Sequence, residues 1–209
     1  LERQGLADNI CTFFMSDNGP SRESRNWLDG NQDFYYGGSA GALKGHKFSL
    51  YEGGVRVPGI MNWPGVIPSG QVLDTPVAAM DIMPTFLKAA GGDPEPYGVD
   101  GCDILPFVSR GAALPERDIC WEMENQTSIR RGKWKLVLNG RLVEHANPPC
   151  EVHLSNLEED MGERVNLKDG YPEIAAELTA AALAWRAVME ADWDDRRKRQ
   201  DSGLVTHVK

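Results

Sequence analysis

The stretch Leu43-Lys44-Gly45-His46-Lys47-Phe48-Ser49-Leu50-Tyr51-Glu52-Gly53-Gly54-Val55-Arg56-Val57-Pro58 decides how the rest of the chain is read. It gathers Lys44, His46, Lys47 and Arg56 around a Tyr51-Glu52-Gly53-Gly54 turn and then enters an apolar strand. Basic groups clustered this way suit an anionic ligand, because each can donate a charge-assisted hydrogen bond. The paired glycines let the backbone take positive φ or come close to a bound group. Arg56 is expected to brace the loop, with Glu52 as its partner.

Upstream, Asn9 to Ser16 is a short continuous apolar run with β-branched and aromatic residues. That pattern predicts a strand buried on both faces, as in a parallel sheet. It stops at Asp17-Asn18-Gly19-Pro20. In open α/β sheets, ligands bind beyond the carboxyl ends of strands, which is where Asp17 and Asn18 fall. A carboxylate and an amide oxygen are hard donors suited to Ca²⁺ or Mg²⁺. The same four residues also read as a plain turn. Between this turn and the basic cluster, Ser21 to Ala42 is polar and Gly-rich, a loop expected to cover the site. Its Trp27, Phe34, Tyr35 and Tyr36 suit stacking on a sugar or aryl group, or packing onto the body.

Downstream, Val55 to Trp63 reads as a second strand with Pro58 confining its start. Asp81 to Ala90 reads as a helix, with Asp81 as N-cap, Pro84 in the first turn and Gly91 or Gly92 as the stop. Composition shifts near Pro115. Ile119–Met123, Thr127–Arg130, Trp134–Leu138 and Glu151–Leu154 then read as short strands, and Asn139-Gly140 as a type I′ hairpin turn. An amphipathic helix follows over 172–189, with Ile174, Leu178, Ala181, Trp185 and Val188 on one face. Asp192 to Asp201 is a charge run expected as a solvated tail.

The chain has 209 residues, 41% of them hydrophobic and 25% charged, enough for a real core. Its net charge of −9 argues against nucleic acid as the main partner. It does not forbid an anionic small substrate, since local cations dominate at contact distance. No apolar run reaches the roughly 18 residues needed to span a bilayer. Leu1-Glu2-Arg3-Gln4 has neither the basic nor the apolar region of a signal peptide, and the chain lacks an initiating Met. A fragment or processed chain is expected, and the compartment stays open. Cys11, Cys102, Cys120 and Cys150 form no C-x-x-C pair, which argues against zinc ligation; buried or free thiols are favoured, with one or two disulfides as the alternative.

Taken together, several segments resemble the C-terminal half of a type I sulfatase, of the alkaline-phosphatase-like superfamily. They are Met15 to Pro20, Leu43 to Lys47, Tyr51 to Pro58, Asp81 to Thr85, Ile129 to Leu136, Leu154 to Leu157 and Glu163 to Leu167. The order and spacing of these segments carry the resemblance. It implies an α/β fold: part of an alkaline-phosphatase-like sheet domain over 1–115, then a small α+β subdomain over 116–209, an antiparallel sheet with one covering helix. It places Asp17 and Asn18 on two ligands of the family's Ca²⁺, and Lys47 on the catalytic lysine that grips the substrate sulfate. His46 and Lys44 are expected at the substrate as well, Lys44 alternatively pairing with a nearby carboxylate.

One departure is large. The family's formylglycine is made from the first residue of a Cys/Ser-x-Pro-x-Arg motif, and none of the Cys or Ser residues here heads that motif. The expectation is a sulfuric ester hydrolase that acts on aryl or carbohydrate sulfate esters as a whole protein, with this chain inactive alone. The rivals are a phosphonate or phosphodiester hydrolase on the same scaffold, and a non-catalytic module that binds sulfated glycans.

Overall fold

Strand alternation, prolines and glycines divide the chain into short elements, and the computed structural model describes residues 2–21, 38–143 and 148–201. In chain order these elements are β1 (Thr12–Met15), α1 (Glu52–Val55), β2 (Gly59–Asn62), α2 (Ile82–Ala89), α3 (Leu105–Arg110), β3 (Asp118–Met123), β4 (Gln126–Arg131), β5 (Trp134–Gly140), β6 (Cys150–Asn156) and α4 (Pro172–Asp201). They fall into two units, one of Leu1–Ser16 with Pro58–Glu116 and one of Asp17–Val57 with Arg117–Lys209. The four cysteines are free thiols. Among the described residues, no helix is long and apolar enough to cross a membrane. The aromatic residues Trp27, Phe34, Tyr35 and Tyr36 lie outside the described residues.

In the first unit β1 pairs with β2, but antiparallel, with Phe14 directly opposite Ile60. The strand expected to be buried on both faces is instead half of a narrow ribbon, and Phe14 and Ile60 are 69% and 61% exposed. Pro58 has no N–H to give, so β2 starts only at Gly59, and two strands of four residues cannot cover both of their faces. Asp81 sits just before α2 as expected, yet its side chain does not cap that helix. A capping side chain needs an extended residue, and Asp81 is already helical as the last residue of a 3₁₀ turn. Its fully buried carboxylate instead accepts from the backbone N–H of Ala78 at 2.8 Å and of Cys102 at 2.9 Å. The Thr85 hydroxyl adds a bond from the Ile104 N–H at 3.0 Å, so segment 102–104 is stapled to α2.

In the second unit β3 to β6 form an antiparallel meander in sequence order. Two-residue connections, Glu124-Asn125 and Gly132-Lys133, link β3 to β4 and β4 to β5, and Glu124 and Gly132 take the positive φ such turns need. The turn expected at Asn139-Gly140 is not there; Gly140 lies in β5, opposite Cys150. Asn139 does have a positive φ of 52°, and its side chain donates to the Asn125 carbonyl. Gly140 is needed for another reason: a Cβ there would lie 2.7 Å from the Tyr51 hydroxyl oxygen.

Directly opposed residues of antiparallel strands share a face. Cys120, Ile129, Leu136 and Leu154 therefore form one row, and Leu138 and Val152 another, on the side covered by α4. Against them α4 buries Ala175, Leu178 and Ala182, with Ile174 and Ala181 at the margin. The predicted stripe is half right: Val188 is 60% exposed. The helix also continues to Asp201, through the charge run read as a tail, because Ala, Glu, Lys and Arg are good helix formers. Arg186 ties it to the sheet, donating to the carbonyls of Glu124 at 2.6 Å and Gln126 at 3.1 Å.

Truncating Leu136 should report on this apolar layer. Leu136→Ala removes a fully buried side chain from the middle of the sheet and should cost about 2–5 kcal/mol in denaturant unfolding. Val188→Ala, on the exposed end of α4, should change stability by less than about 0.5 kcal/mol.

Candidate functional site

The other face of the meander is polar. Its rows run Trp121, Ser128, Val137, His153 and Ile119, Arg130, Lys135, Ser155. Over it lie Leu50, Tyr51 and Val55, so the loop singled out in the sequence docks on this face. The Tyr51-Glu52-Gly53-Gly54 turn is the start of α1. The loop's neck is closed by the Gly53 N–H, which donates to the Lys44 carbonyl at 2.7 Å.

Two backbone bonds join the candidate metal turn to this loop. The Gly19 N–H donates to the Gly54 carbonyl at 2.8 Å, and the Lys47 N–H donates to the Pro20 carbonyl at 3.0 Å. The approach is so close that a Cβ on Gly19 would lie 1.8 Å from the Gly53 carbonyl oxygen, which excludes any other residue there. Asp17 and Asn18 are thus held in sequence contact with a strap that is in register with Lys47. Asp17 is exposed and Asn18 half-buried. The Asn18 amide nitrogen donates to the Gly19 carbonyl at 3.0 Å. The donor chemistry fits a hard cation such as Ca²⁺. Among the described residues, however, no group of three or more His, Cys, Asp or Glu side chains is arranged to hold a metal.

Lys47 is half-buried, with its ammonium 5.4 Å from the centre of the Phe48 ring. Phe48 itself has φ +71°, a left-handed conformation costly for an aromatic residue. It is held there by buried Gln126, whose amide donates to the Phe48 carbonyl at 2.8 Å. His46 is half-buried, and its backbone N–H donates to the Leu142 carbonyl at 3.1 Å. Lys44 points inward. Its ammonium donates to the Glu163 carbonyl at 3.1 Å, meets His153 Nδ1 at 3.4 Å and lies 4.4 Å from the centre of the Tyr51 ring. Burial pushes its pKa below the usual lysine range.

Below the loop lies a charge network that the sequence reading did not foresee. Lys135, wholly buried in β5, meets Glu52 Oε1 at 2.7 Å. Glu52 Oε2 faces Arg56 at 3.3 Å, the brace expected from the sequence, and Arg130 at 3.8 Å. Burial pushes the Glu52 carboxyl up, but Lys135, Arg130 and Arg56 outweigh it and hold it below its ordinary range. Glu163, also wholly buried, accepts from the Glu52 N–H at 2.6 Å through Oε2, and its Oε1 lies 4.0 Å from Lys135. Burial raises its pKa, and Lys135 offsets only part of that. The signal that was available is Lys135 itself. Trp134, Leu136 and Leu138 face α4, so Lys135 and Val137 face the other way, and a strand covered on both sides must pair its lysine.

The network makes two measurable demands. Lys135→Met leaves Glu52 buried without its nearest cation and should cost about 3–5 kcal/mol, much of it recovered in the Lys135→Met/Glu52→Leu double variant. Urea unfolding of the four proteins closes the cycle. His153 sets the second. Burial, followed by the Lys44 charge, lowers its pKa from 6.5 to about 4, so the folded chain refuses a proton that the unfolded chain takes up between those values. Stability should fall as pH drops through that window, by up to about 3 kcal/mol. Glu163 works the other way, its raised pKa letting the folded chain gain a proton as pH falls. The difference between the parent chain and His153→Gln isolates the histidine, and it should shrink steadily from pH 6.5 to pH 4.

With this geometry in place, the comparisons with known proteins point one way. Residues 1–92 match the family model described as Sulfatase. The rat (Rattus norvegicus) steryl-sulfatase is 29% identical over a span covering 91% of this chain and 38% of that protein. Human (Homo sapiens) arylsulfatase D is 39% identical over 64% of this chain and 22% of its own length. The solved PsFucS1 sulfatase from Pseudoalteromonas sp. superposes with a TM-score of 0.70 at 25% identity, covering 91% of this chain and 39% of that one. The chain thus spans less than two-fifths of the length of these curated relatives. Its mixed helix and sheet architecture is of the alkaline-phosphatase-like α/β kind. Family model, curated relatives and solved structure agree: residues 1–92 match the sulfatase family model, and the chain is similar to sulfatases over about nine-tenths of its length.

Proposed function

We propose that this chain is the C-terminal part of a sulfuric ester hydrolase that acts on aryl or carbohydrate sulfate esters. Sequences 1–115 and 116–209 would be the end of its sheet domain and its small C-terminal subdomain. The observation that carries the reading is the pair of backbone bonds, Gly19 to Gly54 and Lys47 to Pro20, that ties the Asp17–Asn18 turn to the lysine loop.

On this reading the Lys47 ammonium binds a sulfate oxygen, with His46 beside it. The inward contacts of Lys44 favour a role in holding the loop over one at the substrate. The Asp17 carboxylate and the Asn18 amide oxygen supply two of the ligands of a Ca²⁺. When bound, that ion would neutralise charge building on the sulfate oxygens in the transition state. The nucleophile is not in this chain, since no Cys or Ser is followed by Pro at +2 and Arg at +4. The chain alone should therefore not turn substrate over.

The test uses 4-nitrophenyl sulfate as probe, in the presence of Ca²⁺. The chain alone should release no nitrophenol, yet bind the probe weakly in a salt-dependent way by NMR titration. In the whole protein, Lys47→Ala should lower kcat/KM by about 10²–10³, the scale of losing one donor to transition-state charge. Hydrolysis unchanged by Lys47→Ala in a folded protein would sink the assignment. Probe binding with no turnover by the whole protein would instead favour the glycan-binding reading.

A further inference from the structure

One residue far from the lysine loop in sequence touches both of its ends. Glu163 accepts from the Lys44 ammonium through its backbone carbonyl at 3.1 Å. Through its side chain it accepts from the Glu52 N–H at 2.6 Å. Lys44 opens the loop that carries His46 and Lys47, and Glu52 begins α1, where the loop closes. Glu163 is fully buried, and its bond with the Glu52 N–H is buried as well. It also has a left-handed conformation, φ +50°, which is uncommon for a glutamate.

The turn that holds it is well made. The Glu163 N–H donates to the Asp160 carbonyl at 3.1 Å. The Asp160 carboxylate accepts from the N–H groups of Arg164 at 2.6 Å and Val165 at 2.9 Å. This turn follows β6, so the clamp is anchored in the sheet rather than in the loop it holds.

We propose that Glu163 is a positioning residue for Lys47, clamping the two ends of the loop so that the lysine is presented in one place. The inference rests on the role given to Lys47 under the proposed function. The carboxylate acts through α1 and never meets the substrate. What the Glu52 N–H needs is an acceptor at Oε2, and a neutral amide supplies one, whereas a methyl group does not.

Hydrogen exchange and probe affinity on the chain test this in two separate ways. Glu163→Ala should speed amide exchange at residues 44–54 by at least about tenfold, the worth of one charge-assisted bond, while amides of Ile129, Leu136 and Leu154 keep their protection. It should also weaken 4-nitrophenyl sulfate binding, and Glu163→Gln should restore both. Exchange in the loop that Glu163→Ala leaves unchanged would overturn the clamp. So would a Glu163→Gln variant as loose as the alanine. If Glu163→Ala unfolds the chain throughout, Lys44→Met, which frees one end only, decides: faster exchange confined to residues 43–48 supports the clamp and unchanged exchange overturns it. Should the exchange results hold while Lys47→Ala leaves probe affinity untouched, the clamp would stand as a loop anchor. The proposal that it serves sulfate recognition would fall with the role of Lys47.

Discussion

Lys135 and Glu52 meet at 2.7 Å in a place where neither side chain reaches water. Moving two charges out of solvent costs several kcal/mol for each, and their attraction repays this only when the remaining hydrogen-bonding capacity is filled. Here Glu52 gathers Lys135, Arg130 and Arg56 around its carboxylate, while Glu163 takes its backbone N–H. An apolar pair of similar volume would hold α1 to the sheet about as strongly. It would not fix which turn of backbone sits over which strand. What the ionic arrangement adds is direction, since the Glu52 carboxylate must face Lys135, Arg130 and Arg56 together.

Stability and site geometry are divided between the two faces of one sheet. Toward α4 the rows are apolar, and loss of packing there is felt by the whole unit. Toward the loop the rows carry Arg130 and Lys135, which face Glu52, and His153, which meets Lys44, beside Ser128 and Ser155, whose buried hydroxyls have no hydrogen-bond partner among the described residues. Tyr51 couples the two tasks. It packs on Val137, stands edge-on to His153 with ring centres 5.2 Å apart, and presses its phenol end onto Gly140. Burial pushes its pKa above the usual tyrosine range, so it stays neutral within this crowd of charges.

How much of this could be read from the sequence depended on the range of the interaction that decided it. The strands β3 to β6 came out within one to three residues, since alternation and turn residues are local. The Arg56 to Glu52 brace was legible because the two lie one helical turn apart. Long-range partners were not. Lys135 lies 83 positions from Glu52, and Glu52 lies 111 from Glu163, so no window of sequence holds both members of either pair. Asn139-Gly140 misled for a related reason: the glycine answers to Tyr51, a residue far upstream, rather than to a turn. Asp81 looked like a helix cap because its neighbours suit one, but Cys102 and Ala78 claimed its carboxylate.

Strain marks where the remaining constraint is stored. Four described residues other than glycine have positive φ: Phe48, Glu124, Asn139 and Glu163. Glu124 belongs to a two-residue turn, and Asn139 to the neighbouring strand end that bonds it, positions where this conformation is routine. Phe48 and Glu163 also sit in turns, closed by the Ser49 N–H on the His46 carbonyl and by the Glu163 N–H on the Asp160 carbonyl, but neither is the Gly or Asn that such positions favour. Phe48 is the residue next to Lys47, and Glu163 is the one that reaches both ends of the same loop. Each is held by a buried partner, Gln126 in one case and the Glu52 N–H in the other. Left-handed conformations at residues of this kind cost of order 1–3 kcal/mol and survive only where surrounding bonds over-determine them. A loop with no task would shed that cost by a small rotation. This one is bonded so that it cannot, which fixes the direction in which Lys47 leaves the backbone whatever ligand it meets.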